Sequence, residues 1–262
     1  MNVFPQDMLA ALKFPQIGEL LEWKDILFKG SPFAVNKIVI LTVAAAALTL
    51  IFFFVAGSKS ALVPRGVQNL AESIVDFVRD GIIEQTMGHD GLKYLPFLTS
   101  MFCFIFFANI FEVIPFLQFP ATARMAIPIF MALLVWVIYN VAGAKEQGVG
   151  HYIKSQVIPP GVPKALLPLV ALIEFVSNFI VRPFSLAVRL FANELAGHLL
   201  LVTFATLSAA LWTAKPLAVI LPLPAVMLVL LTGFEVLVAV LQAFIFTILT
   251  AVYINAATHP EH

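Results

Sequence analysis

Residues 38–58 read IVILTVAAAALTLIFFFVAGS and carry no charge. A helix needs about 20 apolar residues to cross about 30 Å of hydrocarbon, so this stretch is a membrane span. The composition agrees. Of 262 residues, 61% are hydrophobic and 11% charged, against about 45–50% and about 25% in soluble domains, and the mean hydropathy is +0.99. No water-soluble fold of this size hides that much apolar surface. A soluble enzyme, a disordered linker and a secreted disulfide scaffold are excluded. Acids and bases balance at 15 each, so no net field draws nucleic acid. The lone Cys103 forbids internal disulfides and four-cysteine zinc sites.

On the N-terminal side, residues 1–37 mix Pro5, Pro15 and Pro32 with charges of both signs. They read as an extramembrane tail with a short amphipathic helix at 16–28, and lack the long apolar run of a secretory signal. On the C-terminal side, Val67, Leu70, Ile74, Phe77, Val78 and Ile82 recur at helical spacing among Glu72, Asp76, Arg79 and Asp80. That pattern predicts an amphipathic helix lying on the membrane surface. Apolar stretches at 94–118 and 125–144 form a hairpin of two spans around FPATAR (119–124), and a polar, proline-bearing loop at 145–164 follows. Residues 165–258 fit either four ordinary spans or two long, strongly tilted helices divided near Trp212–Pro224. Hydropathy alone leaves both open. The membrane domain is expected over 38–258, with a short tail at 259–262.

Loop charges orient the chain. The segments 59–93 and 145–164 hold four and three Lys/Arg, whereas the turns near 119–124 and 212–217 hold one each. The first pair is therefore expected to be cytoplasmic, which places the N-terminus outside and the C-terminus inside.

Ionisable groups inside spans cost about 2.5–3.5 kcal/mol each on insertion scales and are functional candidates by default. Glu174, Arg182, Arg189, Glu194, His198 and Glu235 all fall in 165–258. At 100° per residue, Arg189 and Asn193 share one helix face, and Glu194 and His198 share the opposite one. Glu174, Asn178 and Arg182 follow another stripe, and Glu235 and Gln242 share a face of the last helix. Arg182 beside Pro183 fits snorkelling or a structural ion pair, and Asn109 and Glu112 fit capping or pairing as well as chemistry. Arg189 is harder to explain structurally, because Arg cannot discharge by deprotonation.

The run RPFSLAVRLFANELAGHLLL (182–201), with Glu235 and LQAFIFTILTAVYI (241–254), closely resembles subunit a of F-type ATP synthases. LVPRGVQNLAESIVDFV (62–78) and NIFEVIP (109–115) resemble the same family, so the likeness covers roughly 38–258. It implies an all-α polytopic membrane protein with about five transmembrane helices plus a surface amphipathic helix, the last two helices long and tilted. It further implies a proton-translocating stator subunit that offers two half-channels to a rotating c-ring. By this resemblance Arg189 faces the carboxylate of each passing c-subunit, with Asn193 and Gln242 beside it. Glu112, after Asn109, resembles the acid of the external proton path, and Glu174 an acid near the cytoplasmic half-channel. Some bacterial members carry Glu and His where this chain has His198 and Glu235, so an exchanged acid and imidazole are expected to act as a pair, with Glu194 nearby. The implied partners are c-ring subunits, b-type peripheral stalk subunits, other ATP synthase subunits and the lipid bilayer. No cofactor or metal is implied. The implied location is the bacterial cell membrane, with the mitochondrial inner membrane as the alternative.

Three other classes compete, of which a purely structural scaffold would leave Arg189, Glu235 and Gln242 inside apolar helices unexplained. A secondary ion transporter also sets charges at mid-membrane, but inverted repeats would favour it and none is visible. An intramembrane hydrolase would carry HExxH or GxSxG, and both are absent, as is any Walker A pattern.

Overall fold

The computed structural model describes residues 35–58, 63–114, 117, 119–158, 162–163, 166–213 and 221–259. The amphipathic helix expected at 16–28 lies outside them. Eight α-helices of nine or more residues build the described chain: α1 (Lys37–Ser58), α2 (Val67–Val78), α3 (Leu95–Ile110), α4 (Ala126–Gln147), α5 (Val149–Val157), α6 (Leu167–Val176), α7 (Arg182–Thr213) and α8 (Pro222–Thr258). Short π-type and 3-10 turns extend several of them. Among the described residues, five helical stretches are long and apolar enough to cross a membrane: Lys37–Ser58, Gly88–Ile110, Ala126–Gln147, Leu167–Trp212 and Pro222–Thr258. The fold is an all-α polytopic membrane protein.

The stretch that hydropathy left open resolves into two long helices. The first is 46 residues long, because a π-type turn at Ser177–Val181 joins α6 to α7 without a break. Pro183 explains that turn. Proline removes one backbone donor and its ring crowds the preceding carbonyls, and a widened turn just before it relieves the crowding. Helix α8 has 37 residues, about 55 Å at 1.5 Å per residue. That exceeds the hydrocarbon thickness of about 30 Å, so the helix tilts and overshoots.

Helix α8 packs along α3, α4 and α7, while α7 packs on α4 and on the turn Ala121–Ala123. The core between them is built from Leu98, Ile105, Val135, Leu190, Phe246 and Ile254, all buried. Ala187, Ala239 and Ala243 are buried as well, and small residues let membrane helices approach closely. Thr247 and Thr250 donate to the carbonyls of Ala243 and Phe246, one turn back, which hides their hydroxyls from the apolar interior. Helix α2 buries Ala71 and Val78 and leaves Glu72 and Asp76 exposed, as a helix lying at the interface must.

The segment 145–164 departs from expectation. Residues 145–147 finish α4, Gly148 turns the chain at φ 80°, and Val149–Val157 form α5. Only glycine takes that left-handed angle without strain. Helix α5 is held down by Tyr152, whose ring packs on Gly143 and whose hydroxyl donates to Asn140 Oδ1 at 3.0 Å. Burial pushes the Tyr152 phenol up to about 12, so it stays a neutral donor. The first span of the hairpin is also shorter than its apolar run, since α3 ends at Ile110 and Glu112 sits in the turn beyond it.

Candidate functional site

Helix α7 presents two chemically different faces. Glu194, Gly197 and His198 are buried, while Ala192, Asn193 and Ala196 are exposed and Arg189 is half-buried. The 100° step expected from the sequence produces this separation. Among the described residues no carboxylate lies within 4 Å of Arg189. A permanent cation therefore stands in a membrane-spanning helix without a counter-ion among the described residues. Gln242, on the neighbouring α8, is buried.

On the buried face, α7 meets the turn after α3. Glu112 and His198 are 4% and 6% exposed, and His198 Nδ1 lies 3.4 Å from Glu112 Oε1. The edge of the Phe119 ring packs against the imidazole at 5.1 Å between centroids. Glu194 faces the same carboxyl of Glu112 within hydrogen-bonding reach. Beside them Thr122 Oγ1 donates to Asn109 Oδ1 at 2.5 Å, and Asn109 Nδ2 finds no acceptor. A cavity of about 270 Å³ opens onto Glu112 and His198, continuing between Val202 of α7 and Leu228 and Thr232 of α8.

Glu235 enters the cluster from α8 and is 4% exposed. Its carboxylate rests on the backbone of α7 at Gly197, where a Cβ would lie 2.5–2.7 Å from the carboxylate atoms. The imidazole expected to pair with Glu235 thus has Glu112 as its contact, and Glu235 reaches the cluster only because position 197 lacks a side chain. If the cluster passes protons, as the sequence resemblance implies, Gly197→Ala should displace the Glu235 carboxylate and lower passive proton flux by roughly tenfold, a loss of about 1.4 kcal/mol in barrier terms. Glu235→Asp, which retracts the carboxylate by one methylene, should restore part of that flux in the Gly197→Ala background. An unchanged flux in Gly197→Ala would show that the close approach carries no function.

A second polar layer lies toward the opposite ends of α7 and α8. Asn178 Nδ2 contacts Glu174 Oε2 at 3.3 Å and donates to the Gln156 carbonyl at 2.7 Å. Tyr139 donates to the Asn178 carbonyl at 2.8 Å. The Arg182 guanidinium sits 5.4 Å from the Tyr253 ring centroid, so it takes a cation–π partner and no acid among the described residues. The expected stripe of Glu174, Asn178 and Arg182 is thus a contacting pair plus an arginine turned elsewhere, since the wider π-type turn between them lowers the rotation per residue. Tyr139, Tyr152, Asn140 and Gln156 were not singled out from the sequence. Tyr152 and Gln156 stand four apart on α5, and that spacing was the available signal.

Along α7, Arg189 lies about 7 Å from the level of Glu194 and about 10 Å from that of Arg182, at 1.5 Å per residue. It stands between the two polar layers and belongs to neither. Among the described residues no group of three or more His, Cys, Asp or Glu is arranged to hold a metal ion.

Fold and site together define an integral membrane protein with ionisable side chains buried between its two longest helices. The family model described as "ATP synthase A chain" matches residues 38–255, and the chain belongs to that family. "ATP synthase subunit a" of Frankia alni is 40% identical over 268 residues, covering 100% of this chain and 92% of the relative. The protein of the same description from Parafrankia sp. is 42% identical, covering 93% of this chain and 82% of its own length. That from Rhodococcus erythropolis is 39% identical, covering 90% and 87%.

Proposed function

We propose that this chain is the stator subunit through which protons reach and leave a rotating ring of c-subunits in an F-type ATP synthase, held by b-type peripheral stalk subunits. The observation that carries the reading is Arg189: a cation that cannot discharge, on the open face of α7, with no counter-ion among the described residues and with a polar layer on either side along the helix. A carboxylate supplied by a moving neighbour completes it. The cavity at Glu112 and His198, with Glu194, Glu235 and Asn109, supports one half-channel, and the Glu174–Asn178 layer supports the other. Asn193 and Gln242 flank the arginine.

The physics follows from these parts. A proton entering at the Glu112 cavity neutralises a c-subunit carboxylate, which then tolerates lipid. On meeting Arg189, the carboxylate is favoured in its ionised form by the nearby positive charge, and the proton departs through the other layer. Arg189 also repels protons that would pass directly between the layers. The membrane potential adds about 2.3 kcal/mol per elementary charge per 100 mV and biases the direction.

The bacterial relatives and the loop charges support a bacterial cell membrane with the N-terminus outside. Residues 38–258 then form one membrane domain. A secondary transporter has less support, because inverted repeats would favour it and none is visible in the sequence. Two measurements test the reading. Affinity purification from mild detergent should bring down a c-ring, and the purified membrane sector in vesicles should conduct protons equally with and without sodium. A chain that purifies alone and moves a solute would overturn it.

A further inference from the structure

Glu194 is the most enclosed acid of the buried cluster, at 2% exposed. Among the described residues no Lys, Arg or His lies within 4 Å of it, and its Oε1 has no hydrogen-bond partner. What it faces is another carboxyl, that of Glu112, within hydrogen-bonding reach. Glu112 Oε1 lies 3.4 Å from His198 Nδ1 and, like Glu194 Oε1, is buried with no hydrogen-bond partner.

The surrounding charges do not neutralise two ionised acids here. Glu235 from α8 adds a third carboxylate to the cluster, with its carboxylate at Gly197. From the α1 side, Lys37 Nζ donates to the Leu117 carbonyl at 2.7 Å. Arg124 on the turn is exposed, and Arg189 is half-buried on the other face of α7. His198 is the cluster's only base, against three acids. Two carboxylates that share a buried site cannot both ionise, and their protons are properties of the pair.

We propose that Glu112 and Glu194 hold one proton between them, in a carboxyl-to-carboxylate hydrogen bond, and so form a proton store at the inner end of the cavity. The O–H of one acid donates to an oxygen of the other. A proton arriving from the cavity by way of His198 protonates the second acid, and a proton passed on to the c-subunit carboxylate of the proposed function restores the shared state. Protons entering and leaving balance, and no other group changes. The store rests on the reading of this cluster as part of a proton path. Its existence is nevertheless separable from that path.

Infrared difference spectra of the assembled complex in lipid test it, comparing wild type with variants at a pH well above the ordinary carboxyl range of about 4. The carbonyl stretch of a hydrogen-bonded, protonated carboxyl should be present in wild type and lost completely in Glu194→Gln. Glu112→Gln should lose the same band, and the double variant should lose nothing more. Glu194→Asp keeps the acid but withdraws it by one methylene, and should shift the band toward that of an acid with no carboxylate partner. That variant decides the matter if the glutamine variants assemble poorly. A band that survives Glu194→Gln, or separate bands whose losses add, overturns the store. Passive proton flux on the same samples isolates the broader reading: a lost band with normal flux leaves the shared proton standing and removes the cluster from the path.

Discussion

Arg189→Ala is expected to abolish proton-driven ATP synthesis while the membrane sector still assembles. The residue makes no ion pair within 4 Å among the described residues, so its removal strips no internal partner and leaves the packing of Leu186, Ala187 and Leu190 in place. In the proposed mechanism it removes the counter-charge for a carboxylate arriving from outside the chain. Leaving one member of a buried ion pair alone costs about 3–5 kcal/mol, and every 1.4 kcal/mol is about tenfold. The rate should therefore fall by at least about a hundredfold. Arg189→Lys should recover only a fraction, because an ammonium lacks the planar fork and can lose its proton. A second readout separates this role from a structural one. Without a fixed cation between the two polar layers, passive proton leak through the sector should rise rather than fall. ATP synthesis and leak are to be measured in vesicles per assembled complex. Normal synthesis in Arg189→Ala would remove the proposed mechanism.

How far the sequence reached depended on what each residue needs from its neighbours. The uncharged run at 38–58 and the amphipathic spacing from Val67 to Ile82 are local properties, and both became helices where expected. The separation of Glu194 and His198 from Arg189 and Asn193 is also local, since it follows from helical rotation alone, and burial divides them as that rotation requires. Residues 165–258 were different. Charges at Arg182, Arg189 and Glu194 look like interruptions to a hydropathy window, yet each is accommodated inside one continuous helix. Arg182 finds the Tyr253 ring, Glu194 an enclosed acid cluster, and the π-type turn absorbs Pro183. Helix α5 escaped notice because its nine residues are too few for a strong periodic signal, and its Gln156 donates to the Ala256 carbonyl, 100 residues further along the chain. The contacts between helices were the least legible. Helical rotation places His198 on a face but says nothing of which acid meets it, a choice made by the height of the turn after α3 and by the absence of a side chain at Gly197.

That difference yields the second large effect, on the pair His198 and Glu112. Both side chains are nearly sealed from solvent, at 7% and 2% side-chain exposure, with Nδ1 and Oε1 3.4 Å apart. Removing either partner leaves the other buried and unmatched, so His198→Ala and Glu112→Gln should each cut passive proton flux by at least about tenfold, at about 1.4 kcal/mol per decade. Contacting residues typically show coupling of about 0.5–3 kcal/mol in double-mutant cycles, and the double variant should therefore be much less impaired than the product of the single losses. The exchange of acid and imidazole sharpens the test. Sequence resemblance points to Glu235 as the partner of His198, whereas the geometry gives that contact to Glu112. His198→Glu combined with Glu112→His should accordingly recover more flux than either change alone, and more than His198→Glu combined with Glu235→His. Flux is to be corrected for assembled complex in every variant. Recovery confined to the Glu235 exchange would mean that the working contact forms only when the c-ring is present and differs from the one in the isolated chain. Strict additivity of His198 and Glu112 would mean that the two groups pass protons independently, and that their proximity has no part in the transfer.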